Sequence, residues 1–208
     1  METTPRFRFL PQTPLARGVA LVCLLLALAI IGIGVRRGLL SEAAPTIGGS
    51  FALTDQFGKS RTDADFRGQY MLVFFGFTNC PDICPIELQT ISDALDQLDA
   101  EQSAQVTPIF ITVDPARDTP DVLRAYVANF HPRLVALTGS AEAIGAVAKS
   151  YRVYYAKATG ANAPTDPAAY ILDHTAVVYL LGPKGEYVAH FSPGTTAQAM
   201  AADLRDRL

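Results

Sequence analysis

Residues 74–85 read Phe-Phe-Gly-Phe-Thr-Asn-Cys-Pro-Asp-Ile-Cys-Pro, and the character of the chain changes across them. Upstream, Tyr70 to Phe77 is a continuous apolar, aromatic and β-branched run, the composition of a strand buried on both faces of a sheet. Downstream, Leu88, Ile91, Leu95 and Leu98 recur at helical spacing with Asp93, Asp96 and Asp99 between them, which predicts an amphipathic helix. Pro85 fits its first turn, where a missing N–H costs nothing. Cys80 and Cys84 therefore fall on a strand-to-helix turn, at a helix N-terminus. The positive end of the helix dipole and its free N–H groups favour a thiolate there, and thiolates bind soft metals and attack disulfides. Residues four apart near a first turn can put both sulfurs on one side of it, close enough to share one ion or to bond each other. A plain disulfide staple is the weaker reading, because the loop it would close is very short and the stabilisation falls with loop length.

Working outward, the chain of 208 residues is half hydrophobic, with 17 basic against 20 acidic residues and a net charge of −3. No basic run is present, so nothing points to nucleic acid as a partner. From Gly18 to Val35 no residue is charged, and at the helical rise this run spans roughly 27 Å, about the thickness of a bilayer's hydrocarbon core. The pattern predicts a transmembrane anchor at 18–35 behind a short segment at 1–17, a tether at 36–47 and one soluble domain at 48–208. A cleavable signal peptide is the competing reading, since Ser41 and Ala43 make a passable cleavage site. Its apolar core would be only about 7–15 residues long, however, and Arg36 and Arg37 bound this run directly. Arg6, Arg8 and Arg17 precede the span, which places the N-terminus in the cytoplasm and the domain across the membrane, on the periplasmic side of an inner membrane. Cys23, within the run, reads as a lipid-facing or packing residue.

Within the domain, Phe51–Leu53 and Arg61–Thr62 flank Asp55-Gln56-Phe57-Gly58, the signature of a short hairpin. Val106 to Val113 predicts a second buried strand. Thr119 can cap, and Pro120 open, a helix whose apolar stripe is Val122, Leu123, Tyr126, Val127 and Phe130. Leu134 to Leu137 reads as strand, Ser140 as the cap of a helix from Ala141 to about Ser150, and Arg152 to Ala156 as extended chain. Ala158 to Ala169 reads as a loop. His174 is expected to open a strand, Thr175 to Leu181, which turns at Gly182-Pro183-Lys184-Gly185 and returns as Tyr187 to Phe191, with a terminal helix from Thr196 to Leu208. Strands alternating with helices, with cysteines at the end of the first long strand, predict an α/β fold of thioredoxin-like architecture, a mixed central sheet flanked by helices.

Several separated blocks agree in order and spacing with one family. Phe74 to Pro85, Ile111-Thr-Val-Asp-Pro-Ala-Arg-Asp-Thr-Pro120, Leu137-Thr-Gly139, Tyr151-Arg-Val-Tyr-Tyr155 and Asp173-His174 resemble the SCO/SenC proteins. The resemblance covers about Gly48 to Phe191. It implies a membrane-anchored, thioredoxin-like copper protein that helps assemble the dinuclear copper centre of cytochrome c oxidase. Its partners would be the copper-bearing oxidase subunit and a copper-donor chaperone. Carried over by position, the family's copper ligands fall on Cys80, Cys84 and His174, with histidine where thioredoxin-like oxidoreductases have a cis-proline.

The donor set fits that implication. Two thiolates and one imidazole suit Cu(I) in a three-coordinate site and accept Cu(II) if a fourth ligand is available, whereas structural zinc normally takes four protein ligands. Of the other histidines, His131 reads as serving a helix terminus and His190 as a surface or packing residue on the returning strand. Asp173 is a candidate second partner for the His174 ring, or a turn residue. Asp82 is a candidate helix cap or a charge facing a partner. The Asp114-to-Pro120 loop, with Arg117 and Asp118, reads as an ion-paired structural corner or as a surface facing a partner. The rival class is a thiol-disulfide reductase using the same Cys80–Cys84 pair as a redox-active disulfide. Its spacer of three residues, where common oxidoreductases have two, weighs against reduction as the sole role. A peroxiredoxin-type peroxidase is weaker still, because Phe77 stands where that site has threonine.

Overall fold

Burial on both faces sets the centre of the sheet. In the computed structural model, which describes residues 14, 18, 22–29, 47–159 and 170–208, the strand Tyr70–Gly76 (β3) is almost wholly inaccessible beyond Tyr70. Phe74 stacks on Phe110 of the next strand, which in turn meets Tyr126 from the helix above. Its neighbour Phe75 points to the opposite face, against Tyr151 and Tyr179. Such a strand needs apolar residues at every position, which is why its sequence shows no alternation.

The elements in chain order are β1 (Ala52–Asp55), β2 (Ser60–Thr62), a 3-10 turn (Asp63–Phe66), β3, α1 (Ile83–Asp96), α2 (Ala100–Ala104), β4 (Val106–Thr112), α3 (Pro120–Val127) and β5 (Val135–Thr138). There follow α4 (Ala141–Ser150), β6 (Tyr155–Lys157), β7 (Leu172–His174), β8 (Val178–Leu181), β9 (Tyr187–Phe191) and α5 (Ala197–Arg205). The main sheet has the order β2-β1-β5-β4-β3-β8-β9, parallel through β5, β4 and β3 and antiparallel at its flanks, so the fold is the expected mixed α/β sheet with helices against it. β6 and β7 form a separate two-stranded ribbon.

Local chemistry places the boundaries. Thr119, Ser140 and Thr196 each accept a backbone N–H two or three residues into α3, α4 and α5, and Pro120 supplies the fixed φ that opens α3. Asp55 closes the first hairpin by accepting the N–H groups of Phe57 and Lys59 at 2.9 Å each, and pairs with Arg61.

Three expectations need correction. His174 closes the short strand β7 instead of opening a long one, because its register partner is Tyr155 in the ribbon, whereas Val178 pairs with Phe74 in the main sheet. Between them the chain changes sheets. Arg152 is not extended; it turns left-handed at φ 57, and the ribbon begins at Tyr155. Val122, counted in the α3 stripe, is 41% exposed. The 114–120 corner is ion-paired as expected, through Arg117 and Asp114, while Asp118 turns inward.

The chain divides into two units, Met1–Pro45 and Thr46–Leu208. Of the span expected at 18–35, only Gly18 and residues 22–29 are described, and these are helical. Among the described residues no helix is long and apolar enough to cross a membrane. The loop expected at Ala158–Ala169 also lies largely outside the described residues, as does most of the tether.

Candidate metal centre

β3 ends at Gly76, and the chain then makes a tight turn in which the Cys80 N–H donates to the Phe77 carbonyl at 3.2 Å. α1 starts three residues after Cys80. Asp82 holds its N-cap position with φ −137 and ψ −77, but its side chain makes no capping hydrogen bond. The first-turn N–H groups are left for another acceptor, and the Cys80 sulfur takes those of Asp82 and Cys84. A sulfur thus caps this helix, and of the two readings of Asp82 the capping one is not met.

Cys84, one residue inside α1, is fully buried, whereas Cys80 is half-exposed, and both are free thiols. The Cys84 sulfur is held close to β3 by a missing atom: a Cβ on Gly76 would lie 2.7 Å from it. The two thiols are electrostatically unlike. Hydrogen bonding from the Cys84 thiol, opposed by burial and helped by the backbone N–H groups of Asp82 and Cys84, holds Cys80 down to about 4. The same interaction with Cys80, together with burial, pushes Cys84 far up. One sulfur carries the charge and its neighbour keeps the proton.

His174 comes to this pair across the fold from the end of β7. Its Nε2 lies 3.3 Å from the Cys84 sulfur, and its ring stands edge-on to Phe74 and Phe77, with centroids 6.1 and 5.8 Å away. Nδ1 lies 3.1 Å from the Thr175 carbonyl, which can only accept, so in the neutral ring Nδ1 carries the hydrogen and Nε2 the free lone pair. The ligand atoms of Cys80, Cys84 and His174 all lie within 4.8 Å of one another. This is a soft donor set that can hold a thiophilic ion or exchange with a disulfide.

The remaining candidates fall elsewhere. Asp173 is exposed, and the His174 ring is oriented by Thr175 instead of by that carboxylate. His131 follows α3, as expected; its Nδ1 accepts from the Arg133 N–H, and burial lowers its pKa. His190 is exposed and bonds Tyr187 through Nδ1 at 2.6 Å. Sequence reasoning missed Thr175, because a backbone carbonyl leaves no trace in residue identity. It also missed Tyr170 at the neighbouring ion-paired corner, where Arg117 pairs with Asp114, lies 3.7 Å over the Tyr170 ring and donates to the Tyr170 carbonyl. A cavity of about 570 Å³ opens beside that corner, lined by Asp114, Ser140, Tyr155, Lys157 and Tyr170, and the thiols do not line it.

Known proteins share this arrangement of blocks. The mitochondrial SCO2 homolog of Bos taurus is 47% identical over 158 residues, covering 76% of this chain but 58% of that protein, so the chain spans little more than half of that relative's length. The solved structure of Bradyrhizobium japonicum ScoI with copper bound superposes with a TM-score of 0.69 at 42% identity, over 78% of this chain and 99% of that one. BsSco, a member of the Sco family of cytochrome c oxidase assembly proteins in which a disulfide switch has been identified, superposes with a TM-score of 0.60 at 26% identity, over 79% of this chain and 95% of that one. Residues 41–208 match the SCO1/SenC family as a whole, and the chain belongs to that family.

Proposed function

We propose that this protein carries copper as cargo, held by the Cys80 and Cys84 sulfurs and His174 Nε2, and delivers it to the copper-bearing subunit of cytochrome c oxidase after receiving it from a copper-donor chaperone. The observation that carries the reading is the convergence of two sulfurs and one imidazole within 4.8 Å, with the imidazole lone pair already turned inward. ScoI, which holds copper, and BsSco, from a family of oxidase assembly proteins, support it. Both Cu(I) and Cu(II) fall within the reach of such donors.

The pH dependence follows from the unequal thiols. Cys80, held down to about 4, is already a thiolate at neutral pH, whereas Cys84 keeps its proton. Copper has to displace that one proton, so affinity rises with pH, by about tenfold per unit. Calorimetry of the reduced protein in buffers of different ionisation enthalpy, between about pH 7 and pH 9, is expected to give one copper bound and close to one proton released. Binding without proton release would remove Cys84 from the ligand set.

One observation favours a second reading. A half-exposed thiolate beside a buried thiol is also the arrangement of a thiol-disulfide reductase, with Cys80 attacking and Cys84 resolving. It would keep oxidase-subunit cysteines reduced.

The anchor belongs to the same proposal: a single helix at 18–35 holding the domain on the periplasmic side of the inner membrane. Val22, Leu24, Leu25, Leu26 and Leu28 are all more than half exposed, a row of apolar side chains that lipid would cover. The full chain is expected to stay with membranes through carbonate extraction. Recovery of a soluble species processed near Ala44 would replace the anchor with a cleaved leader.

A further inference from the structure

Behind the cysteine turn lies a carboxylate that the copper chemistry does not use. Asp118 is wholly buried, and among the described residues no cationic side chain pairs with it. Its Oδ1 accepts the Thr78 hydroxyl at 2.6 Å, and its Oδ2 accepts the Thr78 backbone N–H at 3.0 Å and the Thr112 hydroxyl at 2.5 Å. Thr112 is the last residue of β4 and the register partner of Gly76, the last residue of β3. Thr112 also accepts the Asp114 N–H at 2.9 Å, and the Asp118 N–H returns to the Asp114 carbonyl at 2.9 Å. One side chain therefore ties together the turn after β3, the end of β4 and the 114–119 corner.

Thr78 is the residue this tie restrains most, since its backbone and its side chain are both committed to the same carboxylate. It sits two residues before Cys80, inside the turn closed by Phe77 and Cys80. Pro81 follows Cys80 and restricts it from the other side. Burying an anion without a countercharge costs several kcal/mol, and three donors to one carboxylate are what makes it tolerable here.

We propose that Asp118 is a positioning residue: by clamping Thr78, in the turn after β3, to Thr112 at the end of β4, it fixes the place of the Cys80 sulfur relative to Cys84 and His174. The inference deepens the copper reading and rests on it for the metal alone. What matters is the clamp's shape, so an amide of the same shape serves. In Asp118→Asn the oxygen accepts two of the three bonds, and the amide donates to a threonine hydroxyl, which can rotate to receive it. Asp118→Ala removes the clamp, and Thr78→Val removes one of its arms and leaves a carboxylate oxygen without a donor.

Two measurements on the folded, full-length protein test this. One is copper affinity in the reduced state. The other, free of metal, is the equilibrium of the Cys80–Cys84 pair with glutathione, which reads how well the two sulfurs are held together. Asp118→Ala and Thr78→Val are expected to lower copper affinity by about tenfold or more. Both should also shift the thiol equilibrium toward the reduced pair by about tenfold. Asp118→Asn and Thr78→Ser should stay within about threefold of wild type in both. A role confined to stability would lower the melting temperature and leave both equilibria of the folded protein unchanged, which overturns the proposal. So does an Asp118→Asn protein as impaired as Asp118→Ala, since charge and not position would then be at work. If Asp118→Ala does not fold, Thr78→Val decides by the same criteria. If wild type binds no copper while the thiol equilibrium shifts as expected, the copper reading falls and the positioning role stands.

Discussion

His174→Ala is expected to lower copper affinity by more than about a hundredfold, beyond the 10–100-fold that changes behind a ligand cost, while the fold and the Cys80–Cys84 chemistry survive. The ring supplies the third donor, and nothing beside it can take its place: Thr175 offers a carbonyl already bonded to Nδ1, and the flanking groups are the edges of Phe74 and Phe77. Losing two edge-to-ring contacts should cost only about 1–3 kcal/mol of stability. The thiols, set on the turn after β3 and on the first turn of α1, should still close to a disulfide. The variant therefore separates the two readings of the site. Failure of oxidase maturation with intact disulfide formation supports copper delivery. Normal maturation in His174→Ala, with failure in Cys80→Ser or Cys84→Ser, supports the reductase. His131→Ala and His190→Ala serve as controls, since their rings are engaged with Arg133 and Tyr187, away from the sulfurs.

Gly76→Ala is the second change with a large expected effect, and it needs no functional group at all. The added methyl would lie 2.7 Å from the Cys84 sulfur, 2.9 Å from Phe110 Cε2 and 3.2 Å from Phe74 Cε1. None of these neighbours is a free end. The two rings stack on each other, Phe110 is also backed by Tyr126, and Cys84 is buried in the first turn of α1. Overpacking of this kind costs about 1–3 kcal/mol, and denaturant unfolding is expected to show it. The sulfur is the nearest of the three atoms, so it should also move off position, with copper affinity falling by about tenfold or more. Unchanged affinity in a folded Gly76→Ala protein would mean that the Cys84 sulfur does not occupy the place described.

The strand that carries the cysteines was legible because burial on both faces leaves an unambiguous composition from Met71 to Phe75. The cap and proline at Thr119 and Pro120, and the cap at Ser140, were legible for a different reason: their chemistry is local. The break after His174 was not legible. Thr175, Ala176 and Val177 have strand composition, and only the choice of partner, Tyr155 on one side and Phe74 on the other, divides the run. Arg152 adopts a left-handed backbone that residue type would have assigned to glycine or asparagine. Asp114 and Asp118 stand four apart in one polar stretch and look equivalent on paper. Which of them pairs with Arg117 and which turns inward depends on Thr112 together with Thr78, and Thr78 lies far outside the pattern. The ligand candidates themselves were readable, but the unequal protonation of the thiols was not, because it arises from the Cys84 side chain's burial and its contact with Cys80.

The three donors do not belong to one piece of the fold. The sulfurs are set by the central sheet and α1, whereas the imidazole is set by a ribbon of two three-residue strands that pairs only with itself. The sulfurs rest on the centre of the apolar core, whereas the imidazole rests on a few backbone hydrogen bonds of the ribbon, on Leu172 and Tyr155 packed against that core, and on the Phe74 and Phe77 rings. If the site holds copper as proposed, the ion's residence time depends on the ribbon as well as on the sheet and α1, and changes in the ribbon are expected to alter that time more than they alter the melting temperature.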